Sequence, residues 1–146
     1  MKPLLIGSGV AALAAITLTS LPNTGIIATV IKSGNTAAAQ CVEAVNQRDQ
    51  NTLTLEAYEV ATQRVNSDNR KDVILKNTTD TFCGSAGCVY EICLQDEDRV
   101  NLIAFSYAAN DLKVLGSITE DMHDIALTGK SDVHLVWDHG RYIHSR

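Results

Sequence analysis

The sequence predicts a disulfide-stapled α+β domain: a small antiparallel β-sheet in meander order, with one N-terminal helix covering a face. Three observations carry this. Short apolar runs recur through the second half of the chain, separated by polar or glycine-containing turns. His139-Gly140, between Trp137-Asp138 and Arg141-Tyr142, is a two-residue hairpin signal in which glycine supplies a positive φ. Cys41, Cys83, Cys88 and Cys93 are an even set of cysteines placed behind an export signal, where oxidation is the default.

The export signal comes first in the chain. Lys2 gives a positive start, Leu4 to Leu21 is an apolar stretch, and Ala37-Ala38-Ala39 offers a small-residue cleavage site before Gln40. We therefore divide the chain into a signal peptide, residues 1–39, and one exported domain, residues 40–146. Gly7, Ser8, Gly9 and the threonines make the apolar stretch a poor permanent span, so no stable membrane span is expected after cleavage. Lipidation at Cys41 is not expected, because Gln40 stands where such signals place a small residue.

In the exported part, Val42 to Val65 carries a loose apolar pattern. Thr54 to Arg64 reads as a short amphipathic helix, while Thr52 to Val60, where Leu53, Leu55 and Ala57 alternate, competes as a strand. Asn66 to Asp72 is a polar turn, and Val73-Ile74-Leu75 a buried strand. Cys88 to Leu94 is a second strand, turned by Gln95 to Asp98, and Val100 to Tyr107 a third. Asn110-Asp111 then turns into Leu112 to Ile118. Asp124 to Leu127 and Val133 to Asp138 complete the meander before the final hairpin.

Loss of Lys2 and Lys32 with the leader leaves ten basic side chains against seventeen acidic ones, a charge of about −7. Such a domain repels phosphate backbones, so nucleic acid is excluded as an expected partner. A domain of this size buries only a modest core, which gives covalent staples weight. Gly84-Ser85-Ala86-Gly87 permits the reversal that would join Cys83 to Cys88, leaving Cys41 with Cys93. The C-x4-C-x4-C spacing lacks the close pairs of zinc sites and contains no C-x-x-C redox motif. No metal and no cofactor are expected.

Catalytic patterns are weak. Cys83 to Gly87 approaches G-x-S-x-G around Ser85, but Cys83 replaces the first glycine and no helix follows. In the hairpin register Trp137 faces Tyr142, and His134 and His144 fall on opposite faces, so they cannot share an ion. Trp137 and Tyr142 are either a packing pair or a surface stacking platform. Asn66 to Asp72 spaces oxygen atoms as calcium loops do, yet lacks the turn glycine and carries Arg70 and Lys71. Asn77-Thr78-Thr79 matches a glycosylation acceptor.

Three segments, Asn66 to Leu75, Phe82-Cys83-Gly84-Ser85-Ala86-Gly87-Cys88 and Trp137 to Tyr142, resemble a group of small, largely uncharacterised exported bacterial proteins. That group carries an N-x-D-G-x-x-D segment before a strand, an F-C-G-x-G-G-C loop and a W-x-G-x-x-Y terminal hairpin. Here Asn69-Arg70 replaces Asp-Gly, Ala86 replaces a glycine, and Cys41 and Cys93 are additional. That group has no agreed enzymatic activity. The expectation is a non-enzymatic periplasmic or secreted domain that binds a protein or cell-envelope component through the sheet or the loop Gly84, Ser85, Ala86, Gly87, as an inhibitor or immunity-type protein would. The alternatives are an envelope hydrolase using Ser85 and a calcium- or sugar-binding module.

Overall fold

The computed structural model describes the backbone of residues 24–146 and the side chains from residue 37 onward. The apolar stretch assigned to the export signal, Leu4 to Leu21, lies outside the described residues. A helix, α1 (Thr24–Asp49), leads into a 3-10 turn at Leu55–Ala57 and then ten strands. These are β1 (Tyr58–Gln63), β2 (Asp72–Asn77), β3 (Cys83–Gly84), β4 (Gly87–Asp96), β5 (Arg99–Leu102), β6 (Tyr107–Ala109), β7 (Asp111–Thr119), β8 (Met122–Thr128), β9 (Val133–Asp138) and β10 (Arg141–His144).

The α+β class, with antiparallel pairing and two disulfides, is as the sequence predicts; the single expected sheet is two. In the first, β4 is the axis. Tyr90 pairs with Lys76 of β2 on one side and Tyr107 of β6 on the other, and Cys93 pairs with Val73 and Leu102 in the same way. Strands β2 and β3 therefore flank β4 on one side and β5 and β6 on the other, with β1 outside β2. The second sheet, in the order β10-β9-β8-β7, is the predicted meander.

The layers stack as helix, first sheet, second sheet. Alternation along β2 and β4 assigns the faces: Ile74, Tyr90 and Ile92 join Ile125, Leu127, Leu135 and Tyr142 in the core between the sheets. Val73, Leu75 and Cys93 face the other way, onto Ala38, Cys41, Val42 and Val45 of α1. A strand covered on both faces should be apolar throughout rather than alternating, and β2 is buried at every position but Lys76. That is why Val73-Ile74-Leu75 reads as a continuous apolar run.

The helix lies upstream of the Thr54–Arg64 segment that has helical spacing. Residues 38, 41, 42 and 45 form one stripe at helical period, and Ala37 to Ala39 have the highest helix propensity. Gln50 takes a left-handed φ of 54°, and the Asn51 N–H donates to the Asn46 carbonyl at 3.2 Å, closing the helix. The expected cut after Ala39 falls within α1; it would remove Ala38 from the core and leave Gln40 to Asp49 on the sheet. Tyr58 to Gln63 is strand β1, because six consecutive pairings to β2 outweigh a local preference.

The third predicted strand, Val100 to Tyr107, is two short ones. Phe105 leaves the sheet edge between them and enters the core, where it is 1 % exposed. A parallel bridge between Ala104 and Arg141 ties this corner to the second sheet.

Candidate functional site

Strand β3 and the start of β4 form a hairpin whose tip is Ser85-Ala86. Cys83 pairs directly with Cys88, and Gly84 with Gly87, so the Cys83–Cys88 disulfide closes the hairpin across its first rung. Gly84, Ser85 and Ala86 are exposed. Gly87 has φ +98°, and a Cβ there would overlap the carbonyl carbon and oxygen of Ala109. Only glycine permits that approach. Gly129 closes the other flank, where its Cβ position lies 3.5 Å from the Ala86 carbonyl oxygen. The loop is thus pinned by a covalent bond and by the close approach of Gly87 to the Ala109 backbone.

Beside it runs a groove of about 200 Å³, lined by Ala86, Tyr107, Ala108, Lys130, Val133 and His144 among others. Its walls are largely apolar. Tyr107 lies against His144 with ring centroids 6.5 Å apart, and its hydroxyl donates to the Tyr142 carbonyl at 3.2 Å. This groove has no continuous sequence signal, because it joins β6, the β8–β9 turn and the last strand.

The two aromatic residues considered as a surface platform separate. Trp137 and Tyr142 pair across the hairpin as the register predicts, with centroids 5.0 Å apart. Tyr142, however, is 3 % exposed, packs edge-on against Phe105, and donates its hydroxyl hydrogen to the His123 carbonyl at 2.7 Å. Burial raises its pKa well above the ordinary phenol value. It is a core residue and not a surface aromatic; Trp137, half-buried, packs on its outer side. Arg141-Tyr142 follows a turn in which His139 and Gly140 both have positive φ, as the hairpin signal required.

Ser85 is exposed, and among the described residues no histidine is hydrogen-bonded to it. The histidines lie apart. His134 stands 3.6 Å from Asp124 on the outer face of the second sheet, His144 lies in the groove, and His123 Nδ1 is 2.7 Å from the Leu115 carbonyl oxygen within a bulge of β7. Burial alone would raise the Asp124 pKa, but hydrogen bonds from Ser117 and Thr119 and the charge of His134 outweigh it and hold the carboxyl low. His139 meets Glu120 and Asp138 where the β7–β8 and β9–β10 turns touch, with ligand-type atoms within 4.8 Å of one another. The Asp138 hydrogen bond and the two carboxylates hold the His139 pKa up. Its backbone N–H donates to Glu120 at 3.0 Å, so this cluster ties two turns together.

The oxygen-rich loop Asn66 to Asp72 uses its oxygens internally. Asp72 is fully buried and accepts from the N–H groups of Val65 at 2.7 Å, Asn66 at 3.3 Å and Gln95 at 2.9 Å. Burial raises its pKa against the pull of those three donors. Asp68 accepts from Arg70 N–H at 2.9 Å, Asn69 takes a left-handed φ of 66°, and the Arg70 side chain reaches Asp96 at 2.7 Å. The calcium-like spacing therefore encodes a self-bonded turn. Asn77 is likewise buried, accepting from the Thr79 N–H and hydroxyl at 3.0 and 2.7 Å.

No protein-family profile, curated protein or solved structure matches the chain. Among the described residues, no helix is long and apolar enough to cross a membrane.

Proposed function

We propose that this is a non-enzymatic exported binding domain, periplasmic or secreted, that presents the Gly84 to Gly87 loop to a protein or cell-envelope component. The observation that carries the reading is the exposed Ser85-Ala86 tip, fixed by the Cys83–Cys88 disulfide and by the seating of Gly87 on Ala109. A loop already held in one shape loses little conformational entropy when it docks, so more of its contact energy appears as affinity. The apolar groove beside it supplies a second contact surface. The two disulfides suit an oxidising compartment, and the likeness of Phe82 to Cys88 to the loop of small exported bacterial proteins supports the same assignment. An inhibitor or immunity-type protein is the sharper form, in which the tip enters an enzyme's cleft.

The test is capture from a detergent-solubilised envelope extract by the wild-type protein and by a Ser85→Arg/Ala86→Arg variant. A partner retained by the first and lost by the second supports the reading, and inhibition of a captured enzyme by the wild type alone establishes the sharper form. A partner held equally by both, or none held by either, overturns the loop as the site. Turnover of peptidoglycan or ester substrates that Ser85→Ala abolishes would establish the hydrolase instead. A thermal shift with calcium or sugars would favour the third class.

A further inference from the structure

Beyond the loop, the two sheets differ in how their free edges are finished on the side where β1 and β7 lie. Strand β7 is protected: it bulges between Val114 and Ile118 and carries Lys113, two devices that block pairing with another strand. Strand β1 has neither. It is regular over six consecutive pairings with β2, every residue after Tyr58 is exposed, and it contains no proline or lysine. Its single charge, Glu59, is tied to Lys76 at 3.2 Å.

The space between these edges is a groove of about 300 Å³. Ala61 pairs with Ile74, whose face turns toward the second sheet, so Ala61, Ile74 and Leu112 form an apolar floor. Glu59, Lys76 and Asp111 stand around it, two carboxylates against one ammonium. A strand added to β1 sends alternate side chains to this face, and the one opposite Ala61 falls over the floor, since alanine leaves the space above it open. A long aliphatic stem fits the floor, and a cationic head meets the excess carboxylate, because Lys76 pairs with Glu59 while Asp111 makes no ion pair among the described residues.

We propose that the β1 edge binds an extended segment of a partner protein by strand addition, with a lysine or arginine of that segment seated in the groove between β1 and β7. Main-chain hydrogen bonds to β1 supply affinity and the groove supplies selectivity, the usual division in strand addition.

Fluorescence anisotropy with labelled ten-residue peptides tests this. The probes are alternating threonine-lysine, alternating threonine-glutamate, and alternating proline-lysine, which has the charge of the first but cannot complete a strand ladder. The threonine-lysine peptide is expected to bind on the order of tenfold more tightly than either control. Ala61→Arg, which fills the groove with a resident cation, should abolish that binding. Glu59→Lys/Asp111→Lys should transfer the preference to the glutamate peptide, although the chain as a whole stays acidic. Circular dichroism of both variants shows that the fold is kept, and they alter different residues so that either suffices. Equal binding of the proline-lysine peptide, a lysine preference that survives the double reversal, or no binding at all overturns the proposal. So does a dimer that Ala61→Arg converts to a monomer by sedimentation, because a second copy would then own the edge.

Discussion

The two disulfides close regions of opposite character. Cys41–Cys93 spans 52 residues and is buried between α1 and the first sheet, with both cysteines 0 % exposed. Cys83–Cys88 spans 5 and sits under an exposed hairpin tip. The long bridge acts with a second clamp. Arg48, two helical turns beyond Cys41, reaches Glu91, two residues before Cys93 on the same face of β4, with bonds of 2.9 and 2.8 Å. Asp49 and Glu91 hold the Arg48 guanidinium firmly protonated, and Arg48 lowers the Asp49 pKa in return. One bridge thus helps to decide whether the helix layer exists at all, while the other shapes a surface on a sheet that is already formed.

The largest expected effect breaks that contrast at its deep end. Replacing Cys41 and Cys93 by alanine should cost about 4 kcal/mol by the chain-entropy argument, read as a fall in the urea midpoint of the oxidised protein. Retention of wild-type stability would show that packing of Ala38, Val42 and Val45 holds the helix unaided. Next, Gly87→Ala should cost about 3 kcal/mol, through its positive φ and the collision with Ala109. This would make the loop's anchor more sensitive than its disulfide.

Arg48→Ala strands a carboxylate that is 4 % exposed, and about 2 kcal/mol is expected, because Arg48 itself is partly solvated. A double-mutant cycle with Glu91→Gln separates the pair from its burial: a coupling near zero would assign the clamp to the disulfide alone. Replacing Cys83 and Cys88 by serine should cost about 2 kcal/mol or less. The far-ultraviolet spectrum should be unchanged, while amide exchange at Ser85 and Ala86 accelerates. Smallest of all, Gly84→Ala should shift stability by no more than about 0.5 kcal/mol, since a Cβ there meets nothing within 4 Å.

Much of the fold was legible in local pattern. The cysteine pairing followed from the glycines between Cys83 and Cys88, and the terminal register of Trp137 with Tyr142 followed from His139-Gly140. Local pattern was ambiguous over Leu53 to Arg64, where apolar spacing fits two periods and only the long-range partner, β2, selects strand. It was also blind to exposure. Tyr142 and Trp137 read as equivalents, yet Phe105 and the first sheet bury one of them and leave the other at the margin. Asn66 to Asp72 read as a polar turn, but sequence cannot show that the Asp72 carboxylate turns inward onto backbone donors from three separate positions.

By itself the sequence determined the α+β class, the acidic charge, the cysteine pairs and the hairpin turns, since each depends on composition or on residues a few positions apart. Tertiary structure decided the rest: two sheets in place of one, a helix whose core stripe begins at Ala38, the groove beside the Cys83–Cys88 loop and the open edge at β1. Those depend on which faces meet across long stretches of chain, and a side chain's exposure is set by its neighbours in space.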